Sequence, residues 1–100
     1  MATAPRNFYR GDLPPTLTTV YTVPAGAKAI VTNIVAANNG PSTASVAVKI
    51  GGTFLIANAG IATKGVLTLE CSQVLDEGDS IQVQGNAVPA ATHISGVEVT

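Results

Sequence analysis

The sequence predicts an all-β fold, an antiparallel β-sandwich, and three observations predict it. Apolar and polar residues alternate with period two in several short runs, as they do on strands with one buried face. Turn residues punctuate those runs: Pro24-Ala25-Gly26, Gly51-Gly52 and Asp76-Glu77-Gly78-Asp79. The longest apolar stretch, 27–39, is dense in Ile30, Val31, Thr32, Ile34 and Val35. Such β-branched residues crowd a helix and suit a pleated sheet.

The first fifteen residues, MATAPRNFYRGDLPP, read as an extended N-terminal arm, with the sandwich occupying 16–100. Pro14-Pro15 favours an extended polyproline conformation. Phe8, Tyr9 and Leu13 make the arm more apolar than a solvated tail requires. Together with Arg6 and Arg10 they are candidate contacts to another chain, because aromatics and arginine are the side chains that anchor interfaces. Arg10-Gly11-Asp12 also spells a tripeptide that some cell-surface receptors read, although three residues recur easily by chance.

The remaining elements follow in order. Residues 16–23, rich in Thr, Val and Tyr, form a strand that ends at the turn 23–26. Pro24 presets φ there for the first central position, and Gly26 accepts the positive φ. The strand 27–37 is apolar on both faces, so it is either central in a buried sheet or covered by a partner subunit. After the loop 38–41, the run 43–50 points Val46, Val48 and Ile50 one way and Ser45, Ala47 and Lys49 the other. Gly51-Gly52 reads as a two-residue hairpin turn, and 53–57 returns with Phe54 and Ile56 opposite Leu55.

A loop covers 58–65. Residues 66–71 then alternate, Leu67, Leu69 and Cys71 against Val66, Thr68 and Glu70. Gly78 centres the acidic turn 76–79, and 80–84 sends Ile81 and Val83 inward. The loop 85–91 leads to a last strand, 92–100, where Val97 and Val99 share a face and Gly96 marks a bulge. About seven strands result, and no helix. Jelly-roll and immunoglobulin-like topologies are both compatible.

Composition narrows the function. One hundred residues make one domain. Charged residues are 11% of the chain, against about 25% in ordinary domains, so part of the surface is expected to be covered by something else. A net charge of −1 gives no long-range attraction for nucleic acid or anionic lipid, and neither is expected as a partner. Cys71 is the only cysteine, which excludes an intramolecular disulfide and fits synthesis in a reducing cytoplasm. No secretory signal pattern and no run long enough for a membrane helix are visible.

No catalytic, metal or cofactor site is expected. His93, the sole histidine, has no sequence partner to make it a general base, and one His with one Cys cannot form a structural zinc site. Asp76, Glu77 and Asp79 could offer oxygens to calcium, but a solvated glycine turn is the simpler reading. Cys71 shares the phase of Leu67 and Leu69 and reads as a small core residue.

The segments YTVPAGAKAIVTNIVAAN, VLDEGDSIQV and HISGVEV resemble a group of small virion proteins of tailed bacteriophages. The matching positions are 21–26, 27–38, 75–81 and 94–98, and the likeness spans about 17–99. The resemblance implies a β-sandwich virion structural protein. Its expected role is capsid decoration as a homo-oligomer, most simply a trimer, with the major capsid protein or another virion protein as partner. It implies a location in the virion after synthesis in the host bacterial cytoplasm. A tail, neck or fibre accessory protein, or a receptor- or carbohydrate-binding module, is the alternative.

Overall fold

The computed structural model describes residues 3–86 and 90–100. They form eight strands: β1 (Thr3–Asp12), β2 (Thr18–Thr22), β3 (Lys28–Asn38), β4 (Ala44–Ile50), β5 (Thr53–Ile61), β6 (Val66–Leu75), β7 (Ser80–Gly85) and β8 (Ala90–Val99). They make two antiparallel four-stranded sheets, β1-β8-β3-β6 and β2-β7-β4-β5. Successive strands mostly change sheet, and each sheet sets the chain's last strands beside its first. This eight-strand order is the jelly roll, not the seven-strand immunoglobulin arrangement.

The inner faces are those that alternation marked. Val31, Ile34 and Ile94 of the first sheet and Val46, Val48, Ile81 and Val83 of the second are fully buried. Each such side chain contributes about 1.5–3 kcal/mol by leaving water. β3 lies centrally between β8 and β6. One of its faces carries Ala29, Val31, Ile34 and Ala36 into the core, while Ile30, Val35 and Ala37 stay half-exposed on the other.

The expected arm is corrected. Residues 3–12 are strand β1, paired with β8 from Thr3↔Val99 to Asp12↔Ala91. Residues 3–12 are therefore part of the sandwich, and among the described residues eight strands replace seven. Two features hid the strand. Pro5 lacks a backbone donor, which only an edge strand tolerates, and β1 is an edge. A bulge between Asn7 and Tyr9 breaks the period of two and turns Phe8 inward. Phe8 is 6% exposed, and its ring centroid lies 4.7 Å from that of Tyr21. Pro14-Pro15 then carries the chain between the sheets. The Leu13 N–H donates to the Ala90 carbonyl at 2.8 Å, and the Gly85 N–H donates to the Pro14 carbonyl at 2.8 Å.

Other boundaries shift. β5 and β6 run on to Ile61 and Leu75, so the loop expected over 58–65 shrinks to 62–65. Bulges again explain the miss, since register slips in both strands disturb the alternation. The turn before β3 sits one residue later than expected. The Ala27 N–H donates to the Pro24 carbonyl, which makes Pro24 the first residue and Gly26 (φ 81°) the third. Gly51 and Gly52, at φ 60° and 84°, form the hairpin turn with positive φ at both central positions. Pro89 and its neighbours 87–88 lie outside the described residues.

Gly96 sits where the bulges of the first sheet align. A Cβ there would lie 1.9 Å from the Ile30 carbonyl oxygen and 2.9 Å from the Phe8 ring. Gly96→Ala is expected to destabilise the domain by about 3 kcal/mol or more, because the nearest atom is backbone and cannot swing aside. Chemical denaturation measures this, and a loss under about 1 kcal/mol would mean the sheet relaxes. Deleting residues 1–12 is expected to unfold the protein, since removing the Phe8 side chain alone costs about 3–5 kcal/mol. Circular dichroism of the truncated chain checks this, and retained strand signal with an unchanged melting temperature would refute it.

Candidate functional site

The five candidate contact residues of the N-terminal segment divide. Phe8 is corrected outright: it fills its own core and is unavailable to another chain. Tyr9 and Leu13 are half-buried against that core, and the Tyr9 hydroxyl donates to the Asp12 carbonyl at 2.7 Å. Arg6 is exposed, pairs with Glu98 at 3.5 Å, and places its guanidinium carbon 5.6 Å from the Tyr21 ring centroid. Arg10 is exposed beside His93 on the outer face of the first sheet. Among the described residues the ion pairs are Arg6–Glu98 and Lys28–Asp76, and Arg10 belongs to neither.

Tyr21, Glu98 and Arg6 fasten the two sheets at one end. The Tyr21 hydroxyl donates to Glu98 Oε2 at 2.6 Å, from β2 in one sheet to β8 in the other. The Tyr21 pKa is pushed up to about 12, first by burial and then by that hydrogen bond. Nearby, the two turns join into one unit. The Gly26 N–H donates to Glu77 Oε2 at 2.7 Å, and backbone bonds tie Val23 to Gly78 and Asp79. Lys28 Nζ donates to Asp76 Oδ1 at 2.9 Å, and the Asp76 N–H donates to Asp79 Oδ2 at 3.0 Å. All three carboxylates of the acidic turn thus accept bonds from the chain itself. Among the described residues no three His, Cys, Asp or Glu side chains gather as metal ligands.

The groups with reactive side chains stand apart. His93 is exposed on β8. Cys71 is half-buried on β6, its thiol donates to the Val31 carbonyl at 3.4 Å, and burial raises its pKa. A raised pKa disfavours the nucleophilic thiolate. Arg10-Gly11-Asp12 lies in the paired part of β1, not at a loop tip.

The outer face of the first sheet is the unusual surface. Its ladders align outward residues in rows across the four strands. Pro5 pairs with Val97, Val97 with Ile30 and Ile30 with Val74. Val74 is 62% exposed. The row at the far end joins Ala91 to Ala37 and Ala37 to Val66, which is 63% exposed. A solvated sheet face is normally polar. Sequence reading missed the first row because Pro5 was placed in an arm and Val74 beyond its strand. The shared face of Val97 and Val99 and the two apolar faces of 27–37 were the signs of it.

A second surface feature lies on the outer face of the other sheet. A cleft of about 380 Å³ is lined by Ser45, Ala47, Phe54, Asn58, Gln84 and Asn86 among others. Among the described residues no ionisable group lines it, so these residues offer hydrogen bonds and one ring. Phe54 is 48% exposed, with Lys49 Nζ 5.0 Å from its centroid. The Asn86 amide is already engaged, accepting from the Ser45 N–H and donating to the Thr43 carbonyl.

No protein-family model and no curated protein matches the chain. Among solved structures the chain is similar to an exo-β-1,3-galactanase from Phanerochaete chrysosporium, solved with galactose. The identity is 11% and the TM-score 0.45, over 95% of this chain. The chain spans only 29% of that protein's length.

Tyr21 yields a pH prediction. Its folded pKa lies above the unfolded value of about 10, so the folded state keeps the proton where the unfolded state loses it. The stabilisation is complete below about pH 10 and declines as pH rises toward about 12. Tyr21→Phe is expected to lower stability by about 1 kcal/mol at neutral pH and to flatten the decline over that alkaline window. Melting curves from pH 7 to about 12 check both, and coincident wild-type and variant curves would show the bond contributes nothing.

Proposed function

We propose that this chain is a non-enzymatic structural subunit of a bacteriophage virion, a capsid decoration protein that binds the assembled head and stabilises it. The observation that carries this reading is the pair of apolar rows on the outer face of the first sheet, Pro5-Val97-Ile30-Val74 and Ala91-Ala37-Val66, with Val74 62% and Val66 63% exposed, which a solvated monomer would not favour. His93 and Cys71 stand apart, and the three carboxylates of the acidic turn accept bonds from the chain itself, which supports a role in contact and not in chemistry. The resemblance of 21–26, 75–81 and 94–98 to small phage virion proteins supports the context. Copies of itself, with a trimer as the assembly the resemblance implies, and the major capsid protein or another virion protein are its proposed partners. A tail, neck or fibre position is the variant of the same reading. The cleft beside Phe54 favours a second reading, a receptor- or carbohydrate-binding module.

Quantitative mass spectrometry of purified virions, with co-sedimentation on empty heads, tests the proposal. The expected result is a high copy number, binding to heads, and heads that rupture at a higher temperature when coated. A handful of copies per particle moves the protein to the tail or neck. Absence from virions together with retention on a neutral-glycan array overturns the structural reading in favour of the second.

A further inference from the structure

We infer that the outer face of the first sheet is a self-association surface, on which two copies pack face to face about a two-fold axis running along the strands. This rests on the proposed structural role and sets a two-fold pair on this surface in place of the trimer that the resemblance implies. A face-to-face pair needs its axis in the plane of contact. An axis along the strands, midway between β8 and β3, lays β1 of one copy on β6 of the other and β8 on β3. Each row of outward residues then meets its own copy. Pro5 meets Val74 and Val97 meets Ile30, so the apolar row packs on itself.

Charge favours the same axis. Arg10 stands on β1, in the row where His93 pairs with Val35 and Val35 with Thr68. Glu70 stands on β6 one row away, opposite Asn33. Both are exposed, and neither takes part in an ion pair among the described residues. The rotation sets Arg10 of one copy above Thr68 of the other, about 7 Å along the strand from Glu70 and within reach of its long side chain. The pair forms twice by symmetry. An axis across the strands would instead lay β1 on β1 and β6 on β6, bringing Arg10 toward Arg10 and Glu70 toward Glu70. Like charges oppose that arrangement.

The area suffices. Four strands about 4.8 Å apart and ten residues long present about 19 Å by 33 Å, or roughly 600 Å² per copy. Two copies bury about 1,200 Å², the lower bound of standard interfaces, which suits a weak, concentration-dependent pair that a scaffold can reinforce.

Sedimentation equilibrium of the full chain across micromolar to millimolar concentration is the test. The expected mass rises to twice 10.0 kDa. Arg10→Glu and Glu70→Arg should each weaken association about tenfold or more, and the double reversal should restore it. Val74→Lys should abolish it while leaving the monomer's melting temperature nearly unchanged, because Val74 is already exposed. A chain that stays monomeric throughout overturns the inference. So does a dimer or trimer indifferent to Val74→Lys and to the charge reversals, since association would then use another surface. Either result leaves the virion role standing, because that role fails only when the protein is missing from particles.

Discussion

A Cβ at position 96 would overlap the carbonyl of Ile30, and the shape of the first sheet follows from that closeness. Beside Gly96, β1 carries an extra residue at Phe8, β3 carries one at Thr32, and β6 slips register at the same level. Bulges on three strands therefore gather beside Gly96 of the fourth, β8, whose own pairing is unbroken. Bulges bend a strand and increase its twist. Here the bend lets Phe8 drop into the core and meet Tyr21 of the opposite sheet. Past the bulges, β8 continues and turns Glu98 inward to accept from the Tyr21 hydroxyl. Packing and hydrogen bonding between the sheets at this end thus depend on a residue with no side chain.

Parts of three segments, 21–38, 74–83 and 93–99, meet at one end of the sandwich, while β3 and β8 run on to the other. The turn before β3 donates a backbone N–H to Glu77 of the acidic turn, and both turns share backbone bonds through Val23. Glu98, in the third segment, holds Tyr21, in the first. The segments are far apart in sequence and form one joint in space. That joint ties the two sheets together at this end. A functional reading must come from the surfaces that this joint leaves free, above all the outward face of β1, β8, β3 and β6.

The sequence by itself determined the β class, the two-sheet architecture and most of the inner faces. Val46 and Val48, Ile81 and Val83, and Leu67 and Leu69 follow strict alternation, and burial of apolar surface leaves such runs one orientation. Gly26, Gly51, Gly52 and Gly78 were legible because positive φ is costly for any residue with a Cβ. Tertiary structure alone decided the rest. β1 was illegible because its alternation breaks at Phe8, and only the ladder with β8 shows which residues pair. The choice of jelly roll depended on which strands neighbour each other, a matter of long-range pairing that no local pattern encodes. The outer apolar row belongs to the same class. Pro5, Ile30, Val74 and Val97 are scattered along the chain, and they become one surface only when three hydrogen-bonded ladders set them in register.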